Sequence, residues 1–552
     1  MKQNLTLCML IVTISVIFIL AGNTFSQDPD TLDVAPGFET LNLAVLGDTT
    51  ETGEPKNLNR VYRLERGEYY LLNGSITTVN AAPCRVVAAK GDGPKPLIIP
   101  AVSESGSAAR AFRPGGDVEA KGLYITGIDN LGNQAEKNMF RCGGVGARIV
   151  VDNCFLDHDA QCFVRMDGDD QKLFLTNSVV RNSINLAKPN NGRFIMTRAS
   201  TQDTVFVQNC TMYMGSHNPI QGSGMEKNLI LDHVTIYQTR GHMEIRNAVN
   251  YTVTNCLFID YDFEGNWCDP ANPDVDSLTQ SDFIGYESLD AEVATDEQRN
   301  LSVKNNVFGW TPEILTVFST HDSIKATPIQ NITTQTFFNT FPNMIYENNI
   351  EECPAFSDAP DPSVVAAYAT YRIETHQSDE NNPDPRADRN GMAALDVDPT
   401  SVGPAADEFD FDYNTDAAAY THAEGEFPAG DLNWFPDKKA EWETWIATGV
   451  ESKNMDAVPA AFALNQNYPN PFNPSTTIAY QLKSNTKVNL DVYNSLGQHV
   501  RTLVNNEQKQ AGSYKTQWNG LNDAGQHVAS GIYMYRLKAG DQVQTMKMVM
   551  MK

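Results

Sequence analysis

Four arginines stand in comparable stretches of successive segments: Arg141, Arg165, Arg198 and Arg246. A row of guanidinium groups suits the recognition of carboxylates. In His242-Met-Glu-Ile-Arg246, alternation puts Glu244 and Arg246 on one strand face and Met243 and Ile245 on the other. Proton removal next to a sugar carboxylate needs a cation at that carboxylate, a base for the proton and an acid for the leaving oxygen. Arg246, Arg198 and His242 are the candidates for this chemistry, and Arg141 and Arg165 for holding further carboxylates. His217 and His321 are further candidate bases. Glu244 and Asp260 offer oxygens to a Ca²⁺ ion, as do Asp157-His-Asp159 and Asp167-Gly-Asp-Asp170. The plainer reading pairs these arginines with neighbouring acids on a solvated face and leaves the acidic turns without metal. The sequence holds no Walker loop, dinucleotide fingerprint, Gly-x-Ser-x-Gly or His-Glu-x-x-His.

The elements that must position these residues are written as a repeat. Leu123-Tyr-Ile-Thr-Gly127, Ile149-Val-Val-Asp-Asn153, Leu173-Phe-Leu-Thr-Asn177, Val205-Phe-Val-Gln-Asn209, Leu229-Ile-Leu-Asp-His233, Tyr251-Thr-Val-Thr-Asn255 and Leu301-Ser-Val-Lys-Asn305 share apolar first and third positions. Met344-Ile-Tyr-Glu-Asn348 is a weaker copy. Their fifth positions are spaced by 26, 24, 32, 24, 22 and 50 residues, a solenoid period. Stacked coils would align Asn153, Asn177, Asn209, Asn255 and Asn305 in a ladder whose amides satisfy the backbone of the turn. The fold class expected is all-β: a right-handed parallel β-helix followed by a small antiparallel β-sandwich.

The domains read as a signal peptide over 1–26, a lead-in over 27–59, the β-helix over 60–353, an irregular connector and cap over 354–450, and the sandwich over 460–552. Lys2, the apolar run Leu7 to Ala21 and Thr24-Phe25-Ser26 carry the signal-peptide reading; a membrane anchor is the alternative. The insertion from Asp260 to Gln298 is expected to project as a loop. Cys154, Cys210 and Cys256 recur on alternate coils, about 9–10 Å apart and too far for disulfides, whereas Cys142 and Cys162 could pair. The formal charge of −27 disfavours nucleic acid and anionic membrane as partners. Residues 461–552 hold nine Lys or Arg against four Asp or Glu, a net +5, which leaves −32 on the remainder.

Asn467-Tyr-Pro-Asn-Pro-Phe-Asn-Pro-Ser-Thr-Thr-Ile478, Ser530-Gly-Ile-Tyr-Met-Tyr-Arg536 and the terminal Met546 to Lys552 resemble the type A sorting domain of type IX secretion. The resemblance implies export through the outer membrane and contact with that machinery; an ordinary immunoglobulin-like module is the alternative. Phe409-Asp-Phe-Asp-Tyr413, Ala419-Tyr-Thr421 and Gly430-Asp-Leu-Asn-Trp434 resemble the closing segment of surface β-helix proteins of Bacteroidota, which would cap the solenoid's open end.

Asn228-Leu-Ile-Leu-Asp-His233 and Asn250-Tyr-Thr-Val-Thr-Asn255 resemble two coils of pectate lyases, and on that alignment Glu244 falls at an acidic calcium-ligand position. Gly241 or His242 replaces another of the family's acids, and no Arg-x-Pro-x-x-Arg follows to supply its arginine. Together these readings describe a secreted or surface monomer engaging extracellular polysaccharide. It would act as a Ca²⁺-assisted lyase of uronate polymers or, alternatively, as a non-catalytic adhesin or structural surface component.

Overall fold

The computed structural model describes residues 30–52, 54–78, 82–101, 111–130, 138–184, 191–199, 201–222, 224–243, 247–267, 298–322, 324–341, 343–375 and 409–448. In the C-terminal part it describes 463–464, 467, 470, 472, 474–482, 485–494, 497–509, 512–540 and 542–550. The signal-peptide stretch and most of the insertion after Trp267 lie outside these residues.

Alternating apolar residues coil the chain into a parallel solenoid with three sheets. The first sheet runs from Thr31–Val34, within the stretch read as a lead-in, through Arg148–Asp152 and Gln171–Thr176 to Met344–Glu347. The second runs from Gly37–Phe38 through Phe155–Asp159 to Ile350–Glu351. Thr201–Gly215 and Met225–Thr239 each pass through both, turning at the corner between them. The third sheet has six strands, from Ile76–Thr77 to Ile220–Gly222. Ile149, Val151, Leu173, Leu175, Val205 and Val207 point into one continuous core. Beyond Gly222 the described third side is closed by helices Pro312–Thr320 and Pro362–Thr375, whose Ile314, Val317, Val365, Tyr368 and Ile373 join that core. The span read as an irregular connector therefore contains a packed helix. At the other end, helix Thr40–Gly47 inserts Leu41 and Val45.

The repeat's fifth position is the corner between the first two sheets. Asn153, Asn177, Asn209, His233, Asn255, Asn305 and Asn348 all have φ between +49° and +60°, a left-handed conformation that asparagine tolerates best after glycine. Register corrects one member: Val118–Lys121 pairs with Ile149–Asp152, so the corner residue of that coil is Gly122, and Leu123–Gly127 runs into the second sheet. The amides also bond differently from the expectation. Asn177 and Asn255 donate to the carboxylates of Asp152 and Asp232 on the preceding coil, both at 2.8 Å. The buried turn backbone is satisfied one residue later, as where the Cys256 N–H donates to Asn306 Oδ1 at 2.9 Å. Cys142 pairs with Met166 and Cys162 with Asn138, four residues apart along the strand, so the two thiols cannot meet; both are free and buried.

Residues 409–448 correct a further expectation. They form a strap along the outside of the second sheet rather than a lid on its end. Ala418 N–H donates to Glu352 Oε1, Gly430 N–H to the Asn255 carbonyl, Asn433 Nδ2 to the Asn209 carbonyl and Lys439 Nζ to Asn177 Oδ1. The strap thus travels backwards over the coils. Gly430 has φ +87°, and a Cβ there would sit 2.4 Å from Thr235 Oγ1. Phe411 rests among Tyr213, Tyr237, Phe356 and Trp434.

Burial pushes the Asp431 carboxyl of the strap up to about 6, and that of Asp260 up to about 7. A carboxyl raised on folding binds more protons in the native state. Its stabilising share is therefore whole below about pH 4 and fades as pH rises through 6 and 7. Denaturant midpoints are expected to fall between pH 5 and pH 8, and Asp260→Asn to flatten part of that slope.

Ala463–Leu464, Thr476–Leu482 and Gly512–Trp518 form one antiparallel sheet. His499–Lys509, Thr486–Asn494, Gly531–Ala539 and Gln542–Met550 form the other, around a core that includes Trp518, Tyr480, Leu490 and Tyr535.

Candidate functional site

The outer face of the third sheet carries the arginines. Arg141 lies opposite Arg165, and Phe112 opposite Phe140 places Arg113 beside Arg141. Three guanidinium-bearing residues thus stack on successive coils, about 4.8 Å apart. The column continues as Met196 and Gln221, not as Arg198. Arg198 falls two residues past Met196, is exposed, and donates its backbone N–H to the Met166 carbonyl. Arg246 and Glu244 lie outside the described residues.

Arg141 Nε and Arg165 Nε donate to the two oxygens of Asp167, each at 2.7 Å. Burial alone would raise this carboxyl; the bonds from Arg165 and Arg141 overcome it and hold Asp167 below the usual carboxylate range. Asp167 therefore bridges Arg141 and Arg165, two of the three arginines in the column. Arg113 precedes Arg141 by 28 residues, close to the coil period, but its strand is only Phe112–Arg113 and shows no alternation.

Beside the upper end of this column, the corner leading into the third sheet gathers polar groups. His217 is held down to about 3 by burial and by Arg193, Arg240 and His242 around it, so it is neutral in ordinary solution. Its Nδ1 accepts the Asn218 N–H at 2.7 Å, which places the imidazole proton on Nε2 and makes that edge a donor. His242 is oriented differently: its Nδ1 faces Asp262 Oδ2 at 3.5 Å, and Thr327 Oγ1 donates to the same oxygen at 2.8 Å. A carboxylate behind Nδ1 strengthens an imidazole as a base at its opposite edge. Arg240 Nε and Arg372 Nε converge on Glu264 Oε1 at 2.7 and 2.8 Å. Arg193, Arg240, Asp262, Glu264 and Arg372 were not legible as site residues, since Arg372 lies 108 residues from its carboxylate partner.

The other candidates have separate surroundings. His321 Nδ1 lies 2.8 Å from the Val317 carbonyl, at the end of a helix. Asp260 is fully buried, and both its oxygens accept from Thr311 Oγ1. Asp157 pairs with Arg181, and Asp159 accepts the N–H groups of Met139 and Gln161. Asp169 accepts the Thr201 N–H, and Asp170 pairs with Lys227. Among the described residues no group of three or more His, Cys, Asp or Glu stands where it could hold a metal ion. No helix among them is long and apolar enough to cross a membrane.

Residues 471–542 match the model of the FlgD Ig-like domain. No curated protein matches the chain. Among solved structures, dimeric latent PorU from Porphyromonas gingivalis is similar at 19% identity over 17% of this chain and 10% of that one, with a TM-score of 0.15. PorZ of the same organism, described as an essential bacterial surface component of the type-IX secretion system, is similar at 17% identity over 18% of this chain and 13% of that one, with a TM-score of 0.13. The chain thus spans little more than a tenth of either protein's length.

Proposed function

We propose that this chain is an exported protein whose solenoid engages an acidic extracellular polysaccharide along the outer face of its third sheet. The observation that carries this reading is the in-register column Arg113, Arg141 and Arg165, with Asp167 as its acid, on a region whose formal charge is −32. Carboxylates repeated along a polymer would lie over guanidinium groups repeated along the coils, and would compete with Asp167 for them. Arg141→Ala combined with Arg165→Ala is expected to weaken binding of polygalacturonate or alginate tenfold or more, at about 1.5–3 kcal/mol for each charged contact. Affinity measured by calorimetry at two salt concentrations checks this. Unchanged affinity in the double variant removes the proposal.

A second reading, lyase activity on the bound uronate, is favoured by the His242–Asp262 pair beside Arg240 and Arg372. His242 would take the C5 proton, and Arg246 and Glu244, which follow it closely in the chain, join this reading by sequence alone. Ultraviolet absorbance of unsaturated chain ends, followed with polygalacturonate, alginate and chondroitin with and without Ca²⁺, distinguishes lyase from adhesin. The C-terminal sandwich is assigned to type IX delivery by the motif from Asn467 to Ile478 and the closing strands through Met550. Removing residues 460–552 is expected to leave the remainder in the periplasm.

A further inference from the structure

The starts of three successive first-sheet strands, at the inner corner after the third sheet, carry a polar column of their own. Gln171 pairs with Gln202, and Gln202 with Glu226, on three successive coils. Their exposures are 0%, 0% and 3%. Gln171 Nε2 donates to the carbonyls of Cys142 and Gly144 at 3.1 and 2.7 Å, and Gln202 Nε2 to that of Gly168 at 3.1 Å. These bonds fix which end of each amide is oxygen. Among the described residues, Gln171 Oε1, Gln202 Oε1 and Glu226 Oε2 are buried acceptors with no hydrogen-bond partner.

Glu226 makes the column unusual, because a glutamate stands where the two preceding coils have glutamine. Its Oε1 accepts from Thr197 Oγ1 at 2.5 Å. A Cβ on Gly222 would lie 2.6 Å from that oxygen, so the glycine leaves the carboxylate its room. Burial is the main influence on Glu226, pushing its carboxyl up to about 6, and among the described residues no cationic side chain acts on it. A buried charge without a counter-charge is strongly disfavoured.

We propose that this corner binds a monovalent alkali cation between the Glu226 carboxylate and the Gln202 amide oxygen. Strands on adjacent coils are about 4.8 Å apart. An alkali cation set between oxygens carried on neighbouring coils can meet both. The single carboxylate balances one positive charge, whereas a divalent ion would retain an uncompensated charge inside the protein. The site is separate from the arginine column and does not depend on the polysaccharide reading.

The test uses the whole exported chain at pH 8, with ionic strength held constant by choline chloride. Raising sodium or potassium is expected to lift the thermal midpoint by a few degrees. Glu226→Gln turns the column into three glutamines and is expected to abolish that dependence. A wild-type midpoint indifferent to both cations would mean that Glu226 is neutralised by a proton alone, which overturns the proposal. So would an undiminished response in the variant. Should the variant not fold, wild-type crystals soaked in rubidium decide: an anomalous peak between Glu226 and Gln202 supports the site, and a corner without one refutes it.

Discussion

Arg181→Met is expected to destabilise the solenoid by about 3–5 kcal/mol, the usual cost of stripping one partner from a buried ion pair. Asp157 and Arg181 lie on the outer face of the second sheet with side-chain exposures of 0% and 3%, joined at 3.0 Å. Tyr124 OH and Asn182 Nδ2 donate to the same carboxylate, and the Arg181 guanidinium lies 4.9 Å from the centre of the Phe155 ring. Burial pulls the Asp157 carboxyl upward, but Arg181 and His158 outweigh it and hold the group far below the carboxylate range. A carboxyl lowered on folding contributes stability above its unfolded value near pH 4 and loses it as pH falls. The wild type should therefore weaken in acid by this route, and the variant should lack that part of the loss. Urea unfolding of both proteins at pH 7 and pH 3.5 measures the two effects. The double variant Asp157→Leu, Arg181→Met is expected to recover much of the stability, since it removes both charges together. A single variant within about 1 kcal/mol of wild type would contradict the pairing.

Phe411→Ala is expected to have an effect of similar size and a different character. Phe411 is 1% exposed, and its ring centre lies 5.1 Å from Tyr213 and 5.2 Å from Phe356. Truncating a buried phenylalanine costs about 3–5 kcal/mol. Here the loss falls on the strap, which can detach while the coils beneath keep their own ladders. Protease cleavage within 409–448 should accelerate at least tenfold while the global unfolding midpoint moves little. Equal cleavage rates would mean that the strap does not depend on this aromatic cluster.

The corner asparagines reveal much of the fold because their role is local. A left-handed residue is required at every coil, and few residues tolerate that conformation, so the spacing is written openly. Leu123–Gly127 misleads because both sheets alternate apolar residues alike; only strand pairing assigns it to the second. Arg198 misleads because chain spacing does not fix register across loops of different length, and the column passes through Met196 instead. The strap's path was hidden for another reason. Its motif is evident, but its course depends on Tyr213, Tyr237 and Thr211 matching it in shape from coils some two hundred residues earlier. The corner around His242 is similarly non-local, assembled from Asp262, Thr327, Glu264 and Arg372.

The backward course of the strap has a mechanical side. The chain leaves toward its C-terminal sandwich from helix Pro436–Thr448, where Trp442 sits against His233 and Lys439 reaches Asn177. If that sandwich is tethered and the solenoid is pulled, tension enters at the middle of the rod instead of at its last turn. The polar contacts along the strap then bear load together in shear, rather than peeling away one turn at a time from a loose tip.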